Sequence, residues 1–90
     1  ANVHSLQNHA HKAVGSRQVK KAILKGTAKK VYIAQDAEKH VTRPLIELCQ
    51  ERNIEIEYVD SMAELGKACG IAVGSAAVAL LSEQGKEVQD

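Results

Sequence analysis

Small apolar residues recur at helical spacing in the first part of the chain and predict two short helices. Ser5 can cap a first helix that runs to Val14, and Gly15 ends it. Ser16 can cap a second helix, for which Gly26 is a suitable stop. The inward stripe of the second helix consists of Val19, Ala22 and Ile23.

The middle of the chain predicts a strand, a helix and a second strand. The run "KKVYIAQ" predicts a strand that ends at Asp36. Thr42 precedes "RPLIELCQERN", whose proline suits the first turn of a third helix that runs to about Asn53. The stretch "IEIEYV" alternates, which predicts a strand with one apolar and one solvated face. The apolar face carries Ile54, Ile56 and Tyr58, and the solvated face carries Glu55 and Glu57.

The last third predicts a helix and a buried strand. Ser61 stands three residues before Glu64, the spacing of a capping box, and this short helix ends at Gly70. The continuous run "AAVALL" predicts a fully buried strand. The final residues, 83–90, have the composition of a frayed tail.

The order of these elements predicts an α/β protein. Strands separated by helices of crossover length give a parallel or mixed sheet that is covered on both faces. We therefore expect a three-layer α/β/α sandwich with a small mixed four-strand sheet. A chain of 90 residues has room for one core, so residues 1–90 are expected to form a single domain.

Composition indicates the cellular compartment of the protein and the role of its two cysteines. No apolar run is long enough to cross a bilayer, and the N-terminus lacks the apolar stretch of a signal peptide, so we expect a cytoplasmic protein. Cys49 and Cys69 lie far apart in apolar runs, without a CxxC pair. We expect both to be small buried side chains rather than reactive groups or metal ligands.

Charge is distributed unevenly, although the net charge is only +1. Every Asp and Glu lies from Asp36 onward. The cations before that point are Lys12, Arg17, Lys20, Lys21, Lys25, Lys29 and Lys30. Such asymmetry between the parts of a chain favours a polyanionic partner.

The outer face of the second helix is uniformly basic. Lys21 and Lys25 follow Arg17 by one and two turns, and Gln18 and Lys20 flank them. A solvated surface is the alternative explanation, but no acid neutralises these lysines and the helix N-terminus adds free N–H groups and positive potential. Arg, Lys and Gln can hydrogen-bond a guanine edge, which ordinary A-form RNA hides, so the target would be distorted RNA or DNA.

A second candidate is the glycine-containing stretch "LGKACGIAVGSAA". It lacks the spacing of a P-loop and contains no GxGxxG, so it is not a known phosphate-binding loop. A tight turn into the last strand accounts for Gly70 and Gly74. It does not account for Ile71 and Val73, which are either core residues or apolar residues presented by a loop.

Other residue types indicate neither an enzyme nor a metal site. His4 and His11 share a side of the first predicted helix, but His9 does not, and no acid stands near them. Asp36 and Asp60 follow strands, where turn residues are expected, and no nucleophile accompanies them. The two aromatic residues, Tyr32 and Tyr58, lie within strands, so we expect no base-stacking platform.

Three stretches together resemble a known family. "VGSRQVKKAILKGTAKKVYIAQDA", "EYVDSMAELGKACGI" and "AAVALL" are similar in order and spacing to the ribosomal kink-turn RNA-binding family of archaea and eukaryotes. The similarity is greatest to its small bacterial YbxF-like members and covers roughly residues 13–81. It implies an α/β/α sandwich that binds the kink-turn, a helix–bulge–helix RNA with tandem sheared G·A pairs.

The resemblance also implies which residues contact RNA. The family's Gly-x-Asn-Glu-x-x-Lys motif falls on Gly15, Arg17, Gln18 and Lys21, with Arg and Gln in place of the archaeal Asn and Glu, as in bacterial members. Gln18 and Lys21 would contact the guanine edges of the sheared pairs, and the loop from Ile71 would pack against the extruded bulge nucleotide. The full expected set is Gly15, Ser16, Arg17, Gln18, Lys20, Lys21, Lys25, Asp36, Lys67, Ile71, Ala72 and Val73.

These observations favour a non-enzymatic protein that stabilises bent RNA, with ribosomal or riboswitch RNA as its partner. We expect a monomer, with no cofactor, metal or membrane. Two alternatives remain at this point. One is a ribosome-associated protein-interaction module with only generic RNA affinity, which would use the acidic strand side of Glu55 and Glu57. The other is an enzyme that acts on a small anion at the Gly15 helix start.

Overall fold

The computed structural model describes residues 11–82, which form a mixed sheet with helices on both faces. In chain order the elements are β1 (Lys12–Val14), α1 (Ser16–Lys25), β2 (Ala28–Ala34), α2 (Lys39–Glu51), β3 (Glu55–Val59), α3 (Met62–Ala68) and β4 (Ala77–Leu81). The expected sandwich with a small mixed four-strand sheet is thus confirmed.

The strand order β1-β4-β2-β3 combines two kinds of pairing. β2 and β3 are parallel and are joined by the crossover helix α2, whereas β4 runs antiparallel to both β1 and β2. As a result, β1, β2 and β3 all end at one edge of the sheet, and β4 begins there. We call this edge the carboxyl edge.

Alternation along the central strands divides the core into two clusters. Val31 and Ile33 face α1 and α2, where they pack against a cluster that includes Val19, Ile23 and Leu45. The opposite face packs against α3. Its buried members are Tyr32, Ala34, Ala37, Val59, Leu65, Cys69, Val78 and Leu80. The stripe predicted for the second helix, Val19, Ala22 and Ile23, is buried as expected.

The first predicted helix is wrong in its last residues. Lys12–Val14 forms β1 and pairs antiparallel with β4. The pairing supplies partners for the outer edge of β4, because the Leu81 N–H donates to the His11 carbonyl at 2.9 Å and the Gly15 N–H donates to the Ala77 carbonyl at 2.9 Å. The part of that helix predicted before residue 11, like the tail over 83–90, lies outside the described residues.

The third helix begins earlier than the proline signal predicts. α2 starts at Lys39, so Pro44 lies inside the helix, and Thr42, which was expected to precede the helix, is a buried helical residue that is 3% exposed. The carbonyl of Glu38 accepts from the N–H groups of Val41 and Thr42 at 3.0 and 3.2 Å, and these bonds nucleate the first turn. The turn after β2 therefore leads directly into the helix.

The alternation predicted for β3 is present, but the residues of its acidic face differ in their exposure to solvent. Lys30 Nζ donates to Glu57 Oε1 at 2.7 Å and lies 3.6 Å from Glu55 Oε2. The Glu57 side chain is consequently only 17% exposed, and its hydrogen bond is the largest cause that raises the pKa of Lys30 above the ordinary value of 10.5. Val59, on the same face, is buried against α3.

Both cysteines are buried, as predicted. Cys49 is inaccessible in the cluster under α1 and α2, and Cys69 is 8% exposed beneath α3. Burial raises the pKa of both thiols above the ordinary value of 9.0. The thiols therefore stay protonated at neutral pH and pack as small apolar groups.

Two further findings concern residues 11–82 only. Within that range, no helix combines the length and the apolarity that crossing a bilayer requires. The same residues contain no group of three or more His, Cys, Asp or Glu side chains placed to hold a metal ion. His4 and His9 lie outside the described residues.

Candidate nucleic-acid interface

The start of α1 is shaped by an unusual backbone conformation at Gly15. Its φ of 101° and ψ of 149° are accessible to glycine and strained for other residues, although a Cβ placed there would meet nothing within 4 Å. Gly15, rather than the predicted Ser16, is the N-cap, and no side chain of residues 11–82 caps the helix. The first N–H groups of α1 are therefore available to a ligand.

The outer face of α1 is an exposed cationic surface. Arg17, Gln18, Lys20 and Lys21 are all exposed. None of the three cations among them forms an ion pair with a carboxylate of residues 11–82. The first turn contains no acid. Lys25 continues the same side but lies eight residues beyond Arg17, or about 12 Å along the axis at 1.5 Å per residue.

The loop that follows α3 presents apolar side chains and leads into β4 at the carboxyl edge, where α1 also begins. Val73 is 71% exposed, Ala72 is exposed, and Ile71 is partly buried against the core under α3. The sequence left open whether Ile71 and Val73 are core residues or loop residues presented to solvent, and the structure gives a different answer for each. Ile71 anchors the loop, and Val73 is presented to solvent.

Backbone contacts with α3 fix the shape of this loop. The Ile71 N–H donates to the Gly66 carbonyl, and the Ser75 N–H donates to the Met62 carbonyl, both at 3.1 Å. A Cβ at Gly66 would collide with the Val73 carbonyl oxygen, and one at Gly74 would lie 3.1 Å from atoms of Met62. Loop and helix can approach this closely because both positions are glycine.

Gly66 was not identified from the sequence as a site residue. The available signal was a glycine in the interior of a short helix that a capping box begins, a position where glycine is unfavourable unless packing requires it. The capping box itself is partly realised, because Ser61 Oγ accepts from the Glu64 N–H at 3.1 Å. α3 is therefore a short helix held at its start, and the loop rests on it.

Asp36 and Lys67 are also associated with α3. Asp36 Oδ1 accepts from the Met62 N–H at 2.7 Å, which places this carboxylate at the first turn of α3. Lys67 is exposed in the last turn of the same helix. The geometry gives Asp36 a structural partner, whereas Lys67 presents its ammonium group to solvent.

Backbone hydrogen bonds bring most of the expected residues to the carboxyl edge. The Gly15 N–H reaches the Ala77 carbonyl and the Ala34 N–H reaches the Ala76 carbonyl, each at 2.9 Å. The start of α1, the end of β2 and the end of the loop therefore meet. Lys25 is the exception, because α1 carries it toward the opposite edge.

One aromatic side chain departs from expectation. Tyr32 is fully buried, as its place in a strand predicted, but Tyr58 is 47% exposed. Tyr58 lies opposite Ile33 in the parallel register, at the outer edge of the sheet. The sequence predicted no base-stacking platform from the two tyrosines, and the structure leaves the single ring of Tyr58 accessible to solvent.

Comparison with known proteins assigns the family. Residues 2–89 match the Ribosomal protein L7Ae/L30e/S12e/Gadd45 family. The chain belongs to this family. It is 48% identical over 68 residues to an RNA-binding protein of Caldanaerobacter subterraneus subsp. tengcongensis, an alignment that covers 76% of this chain and 83% of that protein. It is 41% identical over 68 residues to the RNA-binding protein YbxF of Geobacillus stearothermophilus, with the same coverage.

The fold recurs among solved structures. The 15.5kD RNA binding protein of Giardia lamblia matches with a TM-score of 0.80 and 22% identity, and the match covers 97% of this chain and 75% of that chain. At this identity the likeness concerns the fold. The family resemblance drawn from the sequence, including its similarity to YbxF-like proteins, is confirmed, and the individual contact residues stay predictions.

Proposed function

We propose that this protein binds kink-turn RNA and stabilises its bent form. The observation that carries the proposal is the cationic start of α1, which forms no ion pair within residues 11–82 and lies at the same sheet edge as the exposed apolar loop. A protein that prefers the bent conformation shifts a flexible RNA toward it by binding alone. No catalytic group is needed for this activity.

Each part of the edge has a chemical role in the proposal. Gln18 and Lys21 contact the guanine edges of the sheared pairs, for which an amide and an ammonium group are suitable partners. Gly15 lets the RNA approach the backbone and the free N–H groups of the first turn. Val73 packs against the extruded nucleotide. Family membership and the printed names of the relatives support this assignment.

The proposal also names the RNA partners, the cellular compartment and the oligomeric state. The family description names ribosomal proteins, which supports ribosomal RNA as one partner, with riboswitch RNA as another kink-turn source. Both partners place the protein in the cytoplasm. The monomer suffices, because one chain presents the helix start and the loop together.

The first test is a titration of labelled kink-turn RNA at moderate salt. A matched RNA carries Watson–Crick pairs in place of the tandem G·A pairs. We expect a strong preference for the intact kink-turn, and we expect Gln18→Ala and Lys21→Ala together to weaken binding more than about tenfold, or about 1.4 kcal/mol. Lys29→Ala removes one positive charge from an exposed site outside the expected set and should leave affinity nearly unchanged.

Equal affinity for the two RNAs would contradict the proposal and leave a generic basic surface. The protein-interaction alternative would then gain support, yet its own surface is smaller than the sequence suggested. Lys30 pairs with Glu57 at 2.7 Å and with Glu55 at 3.6 Å, so both carboxylates of that strand face have a cationic partner, although the Glu55 side chain is 71% exposed.

A further inference from the structure

A cleft lies beside α2 at the outer edge of the sheet, apart from the expected RNA-contact residues. It has a volume of about 360 Å³ and runs between one side of α2 and the ends of β2 and β3. Ile33 and Ile46 contribute to its apolar lining. Its polar lining includes Gln35, Lys39, Arg43, Glu47, Gln50 and Tyr58.

The cations of this cleft are free within the described part of the chain. Lys39 and Arg43 are exposed one turn apart on α2, and neither forms an ion pair with a carboxylate there. Glu47 follows Arg43 by one further turn but is not bridged to it. The first turn of α2 contains no acid, as is also true of α1.

The cleft adjoins the carboxyl edge that the proposed RNA surface occupies. α1 and α2 pack on the same face of the sheet, and each begins just after a strand that ends at this edge. Gln35 lies where β2 and β3 end, because its N–H donates to the Val59 carbonyl at 2.8 Å, and its side chain lines the cleft. The basic start of α1 and the cations of the cleft therefore lie at the same edge of the sheet, with the exposed carboxylates of Asp36 and Glu38 in the turn between β2 and α2.

We propose that this cleft binds an unpaired nucleotide of the same RNA, outside the kink-turn itself. The inference rests on the proposed function and extends its binding site. Lys39 and Arg43 contact the phosphate, and the base stacks on the half-exposed ring of Tyr58, since aromatic rings are common stacking partners for unpaired bases.

The remaining polar groups give the cleft a preference among bases. A carboxylate accepts hydrogen bonds but donates none, so Glu47 favours a base with an exocyclic amino group, such as cytosine or adenine, over uracil. The amides of Gln35 and Gln50 can both donate and accept and therefore tolerate any base. The phosphate must lie toward Lys39 and Arg43, away from the Glu47 carboxylate.

The test compares a minimal kink-turn RNA with the same RNA carrying an unpaired extension of about four nucleotides at each end in turn. We expect one of the two extensions to tighten binding by about tenfold, because stacking and a phosphate contact are added. Tyr58→Leu and the double variant Lys39→Ala, Arg43→Ala should each remove this gain and leave affinity for the minimal RNA unchanged. Tyr58→Phe keeps the ring and should retain the gain.

Further measurements distinguish base stacking on Tyr58 from a change in the folding of the variants. An extension containing 5-iodocytidine should photo-crosslink to Tyr58, and Lys29→Ala should keep the full gain because Lys29 lies near the opposite end of β2. With Glu47→Gln, the preference for cytosine over uracil in the extension should disappear. Thermal melting of every variant shows whether the fold is intact.

The outcomes distinguish this inference from the proposed function. If the minimal kink-turn binds and neither extension changes affinity, or if Tyr58→Leu keeps the gain, the cleft does not bind a nucleotide and the proposed function stands. If the kink-turn and its Watson–Crick control bind equally, the proposed function fails. In that case, if extended RNA still binds and Tyr58→Leu weakens its binding, the cleft stands as a separate RNA site. If neither the minimal nor the extended RNA binds, both the inference and the proposed function are overturned.

Discussion

Gly66 shows how one missing side chain determines the position of the loop that we assign to RNA. In an isolated helix, replacing an interior glycine with alanine stabilises the helix by about 1 kcal/mol. Here the added methyl group would meet the Val73 carbonyl, so we expect Gly66→Ala to lower the free energy of unfolding by about 1–3 kcal/mol. Urea unfolding measures this loss, and the displaced loop should also weaken kink-turn binding.

Gly26→Ala is the matched control for that prediction. Gly26 ends α1 with a φ of 80°, and a Cβ there would meet nothing within 4 Å. Alanine at this position therefore adds backbone strain but no clash with the loop. We expect Gly26→Ala to cost stability and to leave RNA affinity unchanged. A Gly66→Ala variant that is more stable than the parent would show that the loop is not held by close backbone contact.

At the scale of elements, the sequence predicted those features of helices and strands that depend on residues close together in the chain. The stripe of α1, its stop at Gly26 and the Ser61 cap of α3 were all predictable, because each depends on residues a few positions apart. Lys12–Val14 was predicted as helix because small apolar residues fit either period. Its strand conformation comes from pairing with β4, more than sixty residues later in the chain.

Some features of the candidate site were likewise predictable from local sequence, and others were not. The exposed basic side of α1 was predictable from charge and helical spacing. The approach of the loop to Gly66 and the exposure of Tyr58 were not, because both depend on which segments the sheet order brings together. Tyr58 belongs to the apolar alternation of β3, yet β3 is an edge strand and α2 does not cover its end.

α3 offers a prediction at this scale, because Asp36 holds its first turn. Asp36→Ala removes the acceptor of the Met62 N–H and should lower the free energy of unfolding by about 0.5–2 kcal/mol. Asp36→Asn keeps an oxygen in that position and should recover most of the loss. Chemical denaturation of both variants measures the difference.

RNA affinity separates two roles for Asp36. If the residue acts only by positioning α3 and the loop, Asp36→Asn should bind kink-turn RNA like the parent protein, while Asp36→Ala binds more weakly. Equal weakening by both substitutions would instead indicate that the negative charge itself contacts the RNA or its bound ions.

At the scale of the whole molecule, the fold keeps much of the charge asymmetry of the sequence. Antiparallel and parallel pairing could have mixed the basic and acidic parts, and Lys30 is indeed neutralised by Glu57. The cations of α1, however, lie on a helix face that no carboxylate of the described residues reaches within ion-pair distance. The net charge of +1 therefore does not reveal the basic face of α1.

This surface predicts how RNA affinity depends on salt. Binding through phosphate contacts releases counterions, so the logarithm of the association constant should fall linearly with the logarithm of salt concentration. Lys21→Ala should reduce the magnitude of that slope by about 1, because one contact to phosphate is lost. Lys29→Ala removes the same charge from an exposed residue at the start of β2 and should leave the slope unchanged. Equal changes in slope for the two variants would mean that RNA senses the overall charge of the protein rather than the start of α1.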